Sequence, residues 1–107
     1  MVVNILGEEY RLMEVPKGGD LFLANNDGYC DTSVKKMVVD EMKEKQPGMK
    51  ENLYYYQKQV KRHEIIHAFL FESGLDACCE WACEEMVDWL AIQFPKIQKA
   101  SKEAGCL

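Results

Sequence analysis

The chain has 107 residues, 48% of them apolar, and carries a formal charge of −5 from 13 basic and 18 acidic side chains. That length fits one domain with one packed core and is too short for two lobes around a deep cleft, so any site is expected to be shallow or completed by a partner. The bases are scattered among acids instead of gathered into a patch, which disfavours a role in binding nucleic acid.

The opening residues Met1 to Leu6 have no basic lead, are interrupted by Asn4 and are followed by no small-residue cleavage site, so they do not read as a signal peptide. No apolar run is long enough to span a bilayer. Val2 to Leu6 and Tyr10 to Val15 are rich in β-formers and predict a hairpin closed around Gly7-Glu8-Glu9. Turn clusters follow at Pro16 to Asp20 and Asn25 to Gly28, with two further strands expected at Gly28 to Asp31 and Lys36 to Asp40. Pro47-Gly48 is expected to close this strand-rich half.

From about Glu51 to Ser73 there is no Gly or Pro, and Val60, Ile66, Phe69 and Leu70 recur at helical spacing. One long helix is predicted, ended by Gly74 in the left-handed conformation. A second helix is expected to start near Asp76 and to run through Trp81, Met86, Leu90 and Phe94 until Pro95 kinks or interrupts it, with a helical tail over residues 96 to 105. The whole is expected to be a single α+β domain spanning residues 1–107, a small antiparallel or mixed N-terminal sheet packed on two C-terminal helices. The cysteines Cys30, Cys78, Cys79, Cys83 and Cys106 are odd in number and include an adjacent pair, which suggests reduced thiols in a cytoplasm instead of a disulfide framework.

The segment carrying chemistry is Arg62-His63-Glu64-Ile65-Ile66-His67. On a helix His63 and His67 lie about 6 Å apart along the axis on one face, so both imidazoles can bind one ion. Glu64 sits one position round from His63, where it can act as a base on a water in the open coordination site without being a ligand. These are the chain's two histidines, and chance occurrence of H-E-x-x-H in so short a sequence is on the order of a few in a thousand. Zn²⁺ held by two histidines needs a third protein ligand, expected from a neighbouring helix. Glu84 is favoured, because Asp88 one turn later then shares its face and can accept a hydrogen bond from the far nitrogen of a ligating histidine. Glu85 points about 100° away and is the alternative third ligand if the helix phase shifts by one residue.

The run from Arg62 to Leu75, with Glu84-Glu85-Met86-Val87-Asp88-Trp89-Leu90-Ala91-Ile92-Gln93-Phe94-Pro95, resembles the small zincin-type metallopeptidases encoded by phages and prophages of Gram-positive bacteria. The likeness extends to Gly28-Tyr29-Cys30-Asp31 and Val38-Val39-Asp40, which in zincins would form the sheet whose edge lies above the metal. More distantly the chain is similar to the ImmA/IrrE-like peptidases and to the gluzincins. The resemblance implies a minimal zincin-like fold, His63, His67 and Glu84 as zinc ligands, Glu64 as base, Asp88 as the residue orienting His63, and a host-cytosol setting. No counterpart is evident for the downstream Tyr or His with which larger gluzincins stabilise the oxyanion.

The expected activity is therefore zinc-dependent hydrolysis of a protein or peptide substrate, with a non-catalytic zinc-binding or protein-interaction module as the alternative. The substrate is expected to lie as a strand against a sheet edge, for which Lys36 to Asp40 is the candidate. One of Tyr54, Tyr55 and Tyr56 could face the cleft, although packing explains them more simply. Lys58, Lys61 and Arg62 read first as a solvated helix face. Cys79 and Cys83 form an i, i+4 pair that could bind a soft metal, with free or buried thiols the favoured reading.

Overall fold

The structure is a computed structural model and describes residues 1–43, 48 and 50–107. The expected α+β arrangement is present. Strands β1 (Val2–Ile5), β2 (Glu8–Val15), β3 (Gly28–Asp31) and β4 (Lys36–Asp40) form one sheet, followed by helices α1 (Leu53–Glu72), α2 (Leu75–Cys78) and α3 (Glu84–Glu103). Of the closing turn expected at Pro47-Gly48, Pro47 lies outside the described residues.

The opening hairpin turns two residues earlier than its composition suggests. Leu6 and Gly7 make the turn with φ of +51° and +93°, and the Asn4 side chain accepts from the Gly7 N–H at 2.9 Å. Positive φ at both positions matches the twist of a two-residue hairpin, so Glu8 and Glu9 join β2 as polar, outward residues.

Spatial strand order is β1-β2-β4-β3, with β2 and β4 parallel and the other two pairs antiparallel, so the sheet is mixed. Lys36 to Asp40 is consequently an interior strand, and it cannot be the docking edge expected from its sequence. Its Met37-Val38-Val39 run is fully buried on both faces, as an interior strand requires. The edge beside the helices is β3.

Tyr10, Leu12, Met37 and Val39 alternate inward and meet Val60 and Ala68 of α1 in the core. The Tyr10 hydroxyl donates to Glu72 at 2.6 Å, and Lys35 pairs with the same carboxylate at 2.6 Å, fastening the end of α1 to the sheet. At its start the Asn52 side chain accepts from Tyr55 N.

The second helix departs from expectation at both ends. After Gly74, with φ of +83°, α2 lasts only four residues; Cys79 turns extended, and α3 begins at Glu84 with Cys83 as its cap residue. Cys79 and Cys83 therefore do not share a helix face. Pro95 lies inside α3 without ending it. A proline lacks the N–H that would bond to the carbonyl four residues earlier, here Ala91. Arg62 of α1 supplies the replacement: its Nε donates to the Ala91 carbonyl at 2.6 Å, which also joins the two helices.

Arg62→Met, which removes the donor but keeps an apolar stem, is expected to destabilise the fold by about 1.5–3 kcal/mol in urea denaturation. In a Pro95→Ala background, where residue 95 can cap Ala91 itself, the same substitution should cost under about 1 kcal/mol. Equal losses in the two backgrounds would contradict this account.

Candidate metal centre

Helical periodicity in α1 sorts its side chains before any ligand is considered. Val60, Glu64 and Ala68 recur every four residues on the stripe that faces the sheet, so packing buries Glu64 to 5% exposure. His63 and His67 lie on the adjoining stripe, toward the first turn of α3, and remain about a quarter exposed.

There they converge with Glu84. His63 Nε2 lies 3.2 Å from Glu84 Oε2, His67 Nε2 lies 2.8 Å from Glu84 Oε1, and the two Nε2 atoms are 3.0 Å apart. One ligand atom from each of His63, His67 and Glu84 lies within 4.8 Å of the others. The other nitrogen of His63, Nδ1, is 2.8 Å from Asp88 Oδ1. A hydrogen on Nδ1 donating to Asp88 leaves Nε2 with a free lone pair pointed at the common centre. Glu85 is exposed and is not part of this group, so the helix phase that favours Glu84 holds.

The donor set fits a cation. Two imidazole nitrogens at 3.0 Å cannot both carry a proton comfortably, and burial, with His63 adding to it, lowers the pKa of His67 while Glu84 opposes the shift. Two imidazole nitrogens beside one carboxylate form a donor set that positive charge between them would stabilise. Tetrahedral zinc with bonds of about 2.1 Å sets its ligand atoms about 3.4 Å apart, so an ion requires the trio to open by only a few tenths of an ångström.

Glu64 stands beside this point. No donor among the described residues caps its carboxylate, and burial, with Glu84 and Asp88 adding to it, pushes its pKa up to about 8. Across from it runs β3, where Gly28 makes the approach possible. A Cβ at residue 28 would lie 2.8 Å from Val60 Cγ1, 3.1 Å from the Val38 carbonyl and 3.2 Å from Glu64 Oε2. Sequence reading takes Gly28 as a turn and strand start; contact with a residue 36 positions later leaves no local signal.

The cleft between β3 and the helices has a volume of about 470 Å³, opens to solvent, and is walled by Gly28, Tyr29, Cys30, His67, Phe71 and Asp76. Cys30 is held as a thiol, its pKa pushed up to about 12 by burial and by the nearby Glu64. Of the three tyrosines, Tyr54 and Tyr55 are exposed, while Tyr56 turns inward and donates to Asp27 at 2.6 Å. Asp27 also pairs with Lys17 at 3.2 Å, which pins the turn leading into β3. Beside that pair a smaller cavity of about 200 Å³ reaches His63, Glu64 and Asp88 from the other side. The basic residues are engaged: Lys61 with Glu14, Lys58 over the Tyr54 ring, and Arg62 with Ala91. Arg62 was legible only jointly with Pro95, because a proline inside a helix pattern demands a substitute donor.

Comparison with protein-family models, curated proteins and solved structures finds no match. The geometry therefore carries the functional reading.

Gly28→Ala is expected to cost about 1–3 kcal/mol, because the methyl group meets a Val60 side chain and a strand carbonyl that have little room to yield. Urea denaturation measures it, and a neutral outcome would mean that β3 does not press on α1 as described.

Proposed function

We propose that this chain is a zinc-dependent peptidase of minimal zincin type. The observation that carries this reading is the convergence of His63 Nε2, His67 Nε2 and a Glu84 carboxylate beside an uncapped, buried Glu64. His63, His67 and Glu84 would hold the ion, and Asp88 would fix the tautomer and ring orientation of His63. Zinc so held supplies Lewis acidity toward a water and a peptide carbonyl.

The chain's own residues do the remainder. Glu64, with its carboxylate facing the cleft, takes a proton from the attacking water and returns it to the leaving amide nitrogen. Its burial favours this exchange, since a carboxylate with a raised affinity for protons accepts one readily and still releases it. Substrate would enter as an extended segment along the free edge of β3, pairing by backbone hydrogen bonds, which suits a shallow, open cleft. A protein or peptide substrate is therefore inferred. Five free cysteines accord with a reducing cytosol, and among the described residues no helix is long and apolar enough to cross a membrane. The phage or prophage origin rests on the sequence resemblance alone.

The test is a zinc titration paired with hydrolysis of an unfolded protein. Wild-type chain should bind one zinc and cleave. Glu64→Gln should retain zinc and lose cleavage by about 10²–10⁴-fold, whereas His67→Ala should lose both. Asp88→Asn should weaken zinc about 10–100-fold. Zinc loss of equal size in Glu64→Gln and His67→Ala would contradict the assigned roles, and stoichiometric zinc without hydrolysis would favour a non-catalytic zinc-binding module.

A further inference from the structure

Where the first half of α1 meets the middle of α3 lies a further cavity, of about 690 Å³ and open to solvent. Three cations, Lys50, Lys58 and Arg62, line it, and no carboxylate does. This runs against the composition of a chain whose acids outnumber its bases 18 to 13. Arg62 is half-buried there, and its Nε is spent on the Ala91 carbonyl. That bond holds the guanidinium in place but leaves its charge unmatched. No carboxylate among the described residues pairs with it, and burial alone lowers its pKa. Lys58 lies over the Tyr54 ring at 4.3 Å, a contact that steadies a cation without neutralising it. A guanidinium anchored through one nitrogen, with its other N–H donors unspent, is a fork shaped for a carboxylate.

The cavity is joined to the metal centre. Tyr56 and Gln59 line both it and the smaller cavity that reaches His63, Glu64 and Asp88. Gln59 lies on the histidine stripe, one turn before His63, and its half-buried amide has no partner among the described residues. A peptide passing this point would find a donor and an acceptor there. From the level of the histidines to that of Lys58 is about 10 Å along the α1 axis, the span of about three residues of extended chain. The far side of the metal cleft has the opposite character, since Asp76 lines it and no base does. A carboxylate on a bound peptide is thus repelled at one end and matched at the other.

We propose that this cavity is the specificity pocket for an acidic side chain of the substrate, gripped by Arg62 with Lys50 and Lys58 about two to four residues to one side of the bond that is cut. The substrate class so named, a peptide acidic on that side, rests on the peptidase reading.

Cleavage mapping and peptide binding test it separately. Zinc-loaded chain should cut dephosphorylated casein with Glu or Asp favoured at least about fivefold at one position, on a constant side of the cut. Lys50→Glu combined with Lys58→Glu, at two exposed positions, should abolish that preference with an unchanged circular dichroism spectrum. So should Arg62→Met in the Pro95→Ala background, measured against Pro95→Ala alone, because that background tolerates loss of the guanidinium. Independently, NMR titration of the Glu64→Gln chain with a blocked peptide of alternating alanine and glutamate should move the amides of residues 58 to 62. Its affinity should exceed that of the glutamine counterpart by about tenfold or more. Equal binding of the two peptides, or cuts with no acidic position favoured, overturns the pocket. A chain that cuts nothing yet prefers the glutamate peptide would overturn the peptidase reading and leave the cavity as a carboxylate site.

Discussion

The constraint on which the site depends is the rotational phase of one helix. Val60 and Ala68 must face the sheet for the core to close, and the helical repeat then carries Glu64 into the same contact. Burying a carboxylate costs free energy unless something compensates it. That cost is borne by an apolar stripe on either side of it and a glycine opposite. Once α1 is fixed, His63 and His67 have one direction left to face. The histidines therefore owe their placement to core packing that involves neither of them.

The third donor arrives by a separate route. Glu84 sits in the first turn of α3, and α3 is held against α1 by Val87, Ala91 and the Arg62 bond to a carbonyl that Pro95 leaves without a helical partner. A residue that would ordinarily weaken the helix thus frees a carbonyl that ties it to the neighbour. The opposite wall of the cleft is fixed from a third direction, through Asp27 with Lys17 and Tyr56, and through Tyr29, whose hydroxyl donates to Asp20. Three independently anchored pieces meet at one point.

Much of this was legible from the residues. The pairing of His63 with His67 and the favouring of Glu84 with a face-sharing Asp88 follow from helical spacing, and the structure gathers His63, His67 and Glu84 at one centre with Asp88 on the other nitrogen of His63. Strand positions were readable within two residues for the same reason, because alternation and turn residues are local. Sheet order was not. Nothing in Lys36 to Asp40 says that it pairs in parallel with β2, so its interior position and the edge position of β3 emerge only from the tertiary fold. The break between α2 and α3 was hidden too, since Cys79 to Cys83 carries no Gly or Pro. Gly28 and Arg62 act through partners far along the chain, and such partners have no short-range signature.

The order of the three pieces along the chain has a consequence for how the centre comes into being. The two imidazoles are four residues apart and take their places as soon as α1 packs, but their carboxylate lies beyond a turn, a short helix and a second turn. A nascent chain therefore emerges from synthesis with its histidines first and its charge-balancing acid some twenty residues later. The three donor atoms therefore come together only when α3 docks on α1.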